Sequence, residues 1–140
     1  LASTLNNLGG LALAQERDEE AIVFFERARA IHSLAYAKNE HPDFATTLNN
    51  LGMAYQMVGR LDDAEALFEE SLAMRRRILP QDHPHLAGSL NNLGLIEEER
   101  GRQQEAALLF KEALELAAAK APQGHPLVER IQENLNAVSE

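Results

Sequence analysis

Leu48-Asn49-Asn50-Leu51-Gly52 is the stretch on which the reading of this chain turns, because the same five residues return at 5–9 and at 90–94. The copies start 43 and then 42 residues apart, and an eroded fourth, Gln132-Glu133-Asn134-Leu135-Asn136, follows after another 42. Self-similarity at a fixed period of this size marks a repeat architecture, in which one supersecondary unit is stacked several times.

Working outward from that stretch, each unit reads as two helices. His41-Pro42-Asp43 is a helix start: proline suits the first helical position, where its missing N–H is no loss, and an aspartate favours the positive end of the dipole. Phe44, Leu48, Leu51, Tyr55 and Val58 then recur at helical spacing, and Gly59-Arg60 ends the run. A second helix is predicted from Asp62 or Asp63 to about Leu79, carrying Ala64, Leu67, Phe68, Ser71, Leu72 and Met74. Pro80-Gln81-Asp82 closes the unit, and His83-Pro84 opens a third built on the same plan. Pro122-Gln123-Gly124 closes that one, and His125-Pro126 opens a last helix near 127–138. The first unit lacks the His-Pro start and has one extra residue before His41. The expected units are about 1–40, 41–82 and 83–124, with a capping helix at 125–140, all in a single domain. Gly9, Gly52 and Gly94 are expected to face Ala21, Ala64 and Ala106, letting paired helices approach closely. Phe25, Phe68 and Phe110 are expected to fill the space between neighbouring hairpins. The polar last helix suits a solvent cap, whereas the first hairpin has an apolar flank without one. Self-association through that flank is therefore expected. Because Leu1 falls within a repeat unit and is not Met, the sequence reads as a fragment of a longer protein.

Composition supports helices. The chain is 45% hydrophobic but only 5% aromatic, so its core is built mainly from Leu and Ala, both strong helix formers. A formal charge of −9 argues against nucleic acid or an anionic membrane as partner, since both need a positive face. Without cysteine there is no disulfide, thiolate nucleophile or cysteine metal site, which fits a cytoplasmic location. No apolar run approaches the ~20 residues that cross a bilayer, and the N-terminus does not resemble a signal peptide.

The pattern Leu51-Gly52, Tyr55, Gly59, Ala64 and Phe68 resembles the tetratricopeptide repeat. The period of 42, with Asp82-His83-Pro84 and Leu90-Asn91-Asn92-Leu93-Gly94, is similar to the repeats of kinesin light chain and its bacterial relatives. Two departures stand out. Ala12 and Glu97 occupy the place of Tyr55, and the basic residues with which chaperone-type repeats clamp a carboxylate have no counterparts. The resemblance implies an all-α, right-handed superhelical solenoid of three hairpins plus a capping helix, whose first helices line a concave groove that binds peptide segments of other proteins.

A helical wheel locates the open face independently. At ~100° per residue, Asn49 and Asn50 flank the core stripe and Met53 lies opposite it, with Thr46, Gln56 and Met57 nearby. The matching positions are Asn6 and Asn7 in the first unit, Asn91, Asn92, Leu95, Glu98 and Glu99 in the third, and Arg130 and Asn134 in the last helix. A carboxamide is both donor and acceptor, so it can pair with a peptide backbone whatever its side chains are. The same amides could instead bond a neighbouring helix. Met53, Met57 and Leu95 add adaptable apolar surface. Glu97-Glu98-Glu99 either selects basic ligand groups or is a solvated face pairing with Arg100 and Arg102. The partner expected is thus a protein or peptide, basic or apolar in character. The alternative is an architectural or self-associating arm with no peptide ligand.

Arg75-Arg76-Arg77 reads as dipole support and ordinary surface charge. His41, His83 and His125 lie one repeat apart and cannot converge on one ion, so they are expected to be structural and no metal is expected. With no phosphate-binding loop, HExxH or GxSxG, neither catalysis nor a cofactor is expected.

Overall fold

The computed structural model describes residues 1–36, 40–121 and 124–139. Its elements are α1 (Ala2–Ala14), α2 (Asp18–Ala35), α3 (Pro42–Met57), α4 (Leu61–Ile78), α5 (Pro84–Glu99), α6 (Gln103–Lys120) and α7 (Pro126–Val138). Among the described residues there is no strand. The chain forms two compact units, Leu1–Ile78 and Leu79–Glu140. The first unit holds the hairpins α1/α2 and α3/α4; the second holds α5/α6 and the single helix α7. Helix α4 starts one residue before the earlier of the two predicted positions, with Asp62 and Asp63 inside its first turn. Pro122 and Gln123 of the expected closure lie outside the described residues, as do residues 37–39, near the extra residue expected before His41.

The three His-Pro starts work in the same way. His41, His83 and His125 are N-caps whose Nδ1 accepts the N–H of Asp43, His85 and Leu127 at 3.0, 3.0 and 3.1 Å. Each ring thus satisfies one of the orphan donors of a helix start, while the following proline removes another.

Helix ends repeat too. In the turn after α3, the N–H of Arg60 reaches Tyr55 O at 2.9 Å and that of Gly59 reaches Gln56 O at 3.0 Å, with Gly59 at φ 82°. The turn after α5 has the same two bonds, and Gly101 sits at φ 79°. This is the Schellman arrangement, which needs a left-handed residue. After α1 that residue is Glu16, at φ 59°, a conformation that L side chains disfavour.

Inside each hairpin the repeated glycine lies against the repeated phenylalanine. A Cβ on Gly9, Gly52 or Gly94 would lie 2.5, 2.7 or 2.5 Å from Cε1 of Phe25, Phe68 or Phe110 respectively. Each ring therefore lies flush against the glycine of its own hairpin. Glycine is small there because a ring occupies the space, and Phe25 also joins the core shared with α3 of the next hairpin. Ser71, buried in α4, locks the second hairpin by donating to Ala45 O at 2.7 Å.

Within the first unit α2 also seals the back of α3. Phe44, Ala45, Leu48, Leu51 and Ala54 of α3 join Ile22 and Phe25 of α2 in one core. Phe44 stacks on His32 (5.5 Å between centroids), His32 on Tyr36 (5.3 Å) and Tyr36 on His41 (4.0 Å). His32 is only 4% exposed and its Nε2 has no partner among the described residues. Burial pushes its pKa below the ordinary value, more than nearby Asp43 raises it. Tyr55, at the edge of this core, donates to Glu26 at 2.8 Å and carries Arg60 4.5 Å above its ring.

Arg75 also departs from expectation. It is buried rather than part of a surface cluster, and desolvation lowers its guanidinium pKa to about 10. The apolar spacing of α4 places it one turn beyond Ser71, on the inner face.

Candidate functional site

The side of α1 and α3 turned away from the core carries the amides singled out by the repeat. Between these helices lies an open hollow of about 250 Å³, lined by Ser3, Asn6 and Asn7 from α1 and Asp43, Thr46 and Asn50 from α3. The lining follows from helical spacing: residues three and four apart share a face, so 3, 6 and 7 align against 43, 46 and 50. The two asparagines of each pair part company here. Asn6 turns toward α3 and donates from Nδ2 to the buried Thr47 Oγ1 at 2.6 Å, leaving its own Oδ1 buried with no partner among the described residues. Asn7 stays exposed and Asn50 half-buried, both on the hollow.

In α3 the face continues through Met53 and Met57, 40% and 63% exposed, with Gln56 half-buried beside them. Asn49 lies against Met53, its Nδ2 at 3.7 Å from the sulfur.

The second unit repeats the frame with different contents. Asn91 of α5 is only 4% exposed and accepts from Nδ2 of Asn134 in α7 at 2.9 Å. This corrects the expectation that the amide row stands clear of the packed interior. The physical reason is legible in register. The position of Thr47 is Ile131 in α7, so Asn91 finds no hydroxyl there and closes on the next amide instead. Asn92, Leu95 and Glu98 are half-buried, and Glu99 and Arg130 are exposed. Glu97, which replaces the aromatic of Tyr55, is held by Arg100 and Arg102 at 3.4 and 3.3 Å. That pairing offsets the cost of half-burying a carboxylate. The three capping histidines are committed to helix starts, and among the described residues no group of three acidic or histidine side chains could hold a metal ion. No described helix is long and apolar enough to cross a membrane.

The bonds from Asn6 to Thr47 and from Asn134 to Asn91 tie the first helix of one repeat to that of the next. Sequence reasoning weighed such a role for the amides but could not say which of them would take it. The hydroxyl at 47, two residues before the Asn pair and facing Asn6, was the missed signal.

A chain built of helical hairpins at this period, with an amide-bearing face on each first helix, is a helical-repeat protein. It belongs to the tetratricopeptide repeat family, whose profile matches residues 1–77 and again 43–119. Similar solved structures include the TPR-like repeats of a protein described as a kinesin light chain from Podosopora anserina. The TM-score is 0.87 at 24% identity, over 97% of this chain and 64% of that one. BtubC (BKLC) from P. vanneervenii gives 0.89 at 24% identity, over 99% of this chain and 55% of that one. The N-terminal domain of stress-induced protein-1 (STI-1) from C. elegans gives 0.66 at 19% identity, over 95% and 93%. The chain thus spans less than two thirds of the first two. Among curated proteins none matches the sequence significantly.

Proposed function

We propose that this chain is a protein-interaction module that takes an extended segment of a partner protein on the open faces of the first helices of its repeats, α1 and α3 above all. Tetratricopeptide repeats are in general protein-interaction modules, which supports a binding rather than a catalytic role. The observation that carries the reading is the open polar hollow between α1 and α3, with Asn7 and Asn50 on its wall and the methionines Met53 and Met57 continuing the same helix face. Amides there suit a peptide backbone, and methionine suits apolar side chains of varied shape. The partner is a protein segment of basic or apolar character, met in the cytoplasm.

The test is selection of random peptides displayed against the chain, followed by replacement of Asn50 and Asn92 with alanine. Binding should weaken by ~0.5–1.5 kcal/mol per lost hydrogen bond with helicity intact. Unchanged affinity in the double variant would refute amide recognition.

One observation favours a second reading, an architectural arm. Leu1, at the start of α1, and Leu8 and Leu11 within it are 83%, 39% and 54% exposed, whereas their counterparts Phe44, Leu51 and Ala54 of α3 are at most 2% exposed beneath α2. Such a face favours association with another chain. Sedimentation separates the two: a monomer at high concentration removes the architectural reading.

A further inference from the structure

We propose that the hollow between α1 and α3 is a subsite for one cationic side chain, the ammonium of a lysine or the guanidinium of an arginine in the bound segment. This rests on the peptide-binding reading and adds the ligand chemistry of one position.

Three features of the hollow point the same way. Its lining is rich in acceptors: the Asp43 carboxylate at the rim, the hydroxyls of Ser3 and Thr46, and the amide oxygens of Asn7 and Asn50. Among the described residues, no Lys or Arg lines it. Asn6, on the same wall, has a buried amide oxygen with no donor among the described residues, while its NH₂ donates to Thr47. An unsatisfied buried acceptor carries the desolvation cost of its lone pairs. A donor within reach of it would relieve that cost. The positive end of α3 lies nearby and would favour an anion, but its second amide is already taken by His41 and Asp43 stands in its first turn. The formal charge of −9 also favours approach of a cation.

The second unit supplies an internal control. At the positions of Asp43, Thr46 and Asn50, α7 carries Leu127, Arg130 and Asn134. There the carboxylate is replaced by an apolar residue, a cation appears, and the counterpart of the Asn6 oxygen is satisfied by Asn134. One repeat frame therefore carries an acceptor-rich hollow in the first unit and a closed amide pair beside a cation in the second. Of these two frames, cation selectivity belongs to α1/α3.

The experiment is a titration of the 15N-labelled chain, followed by NMR, with N-acetyl-lysine methylamide. N-acetyl-norleucine methylamide serves as the uncharged isostere and N-acetyl-glutamate methylamide as the opposite charge. The lysine compound should shift the side-chain amides of Asn6, Asn7 and Asn50 saturably in the millimolar range, and the other two should not. Asp43→Asn should weaken it by about two- to fivefold, as expected for an exposed charge pair, with the helical circular dichroism of the native chain unchanged. Equal shifts from norleucine, preference for glutamate, or indifference to Asp43→Asn would overturn the proposal. Display peptides that bind the chain without a fixed Lys or Arg would overturn the cationic subsite and leave the module reading standing. A response to the lysine compound with no peptide recovered would sustain the subsite and overturn the peptide reading.

Discussion

Replacing Gly52 by alanine sets two physical effects against each other, and the structure decides the winner. In an ordinary helix interior alanine is favoured over glycine by about 1 kcal/mol, from reduced backbone entropy in the unfolded chain. At Gly52 the new methyl would lie 2.7 and 2.8 Å from Cε1 and Cδ1 of Phe68, a ring that is fully buried. Forcing a carbon into such a core costs about 1–3 kcal/mol. The net expectation is a loss of up to about 2 kcal/mol. Gly10 is the control, lying in α1 with nothing within 4 Å of its Cβ position. There alanine should stabilise by about 0.4–1 kcal/mol. The assay is urea unfolding followed by helical circular dichroism, comparing midpoints only where the slopes agree, since two compact units need not unfold together. A double variant adding Phe68→Leu should recover part of the Gly52→Ala loss, because the shorter side chain vacates the site. If Gly52→Ala stabilises as much as Gly10→Ala, and no coupling to Phe68 appears, the packing account of the repeated glycine is wrong.

Three further outcomes follow from the helix ends and the buried ring stack. Glu16→Gly should raise stability by about 1 kcal/mol, because Glu16 holds a left-handed conformation that Gly59 and Gly101 occupy in the other repeats; no gain in thermal melting would contradict this. His83→Ala should cost about 1 kcal/mol and His83→Asn much less, since asparagine also caps, and equal losses would show that the ring acts by packing instead. His32 is neutral in the fold and its pKa is lowered by burial, so the stability it contributes is present above the ordinary value of about 6.5 and is lost as pH falls below it. The melting temperature should drop between about pH 6.5 and 5, and His32→Phe should flatten that limb; an identical pH profile for the variant would refute the assignment.

The repeated Leu-Asn-Asn-Leu-Gly and His-Pro residues were enough to read seven helices, their pairing and the family, because local signals of capping and helical spacing recur at the same interval and reinforce one another. The open face of α3 was equally legible, since Met53 must point away from a stripe that contains Leu48 and Leu51. What sequence could not decide were matters of side-chain reach across helices. A wheel treats Asn6, Asn49 and Asn91 as equivalent, yet Asn6 bonds Thr47, Asn49 lies against Met53, and Asn91 is buried against Asn134. It likewise gave no sign that the ring of Phe68 would lie against Gly52. Spacing along one helix fixes which direction a residue faces; which atom it meets depends on the neighbouring helix, and that is settled only when the hairpins pack.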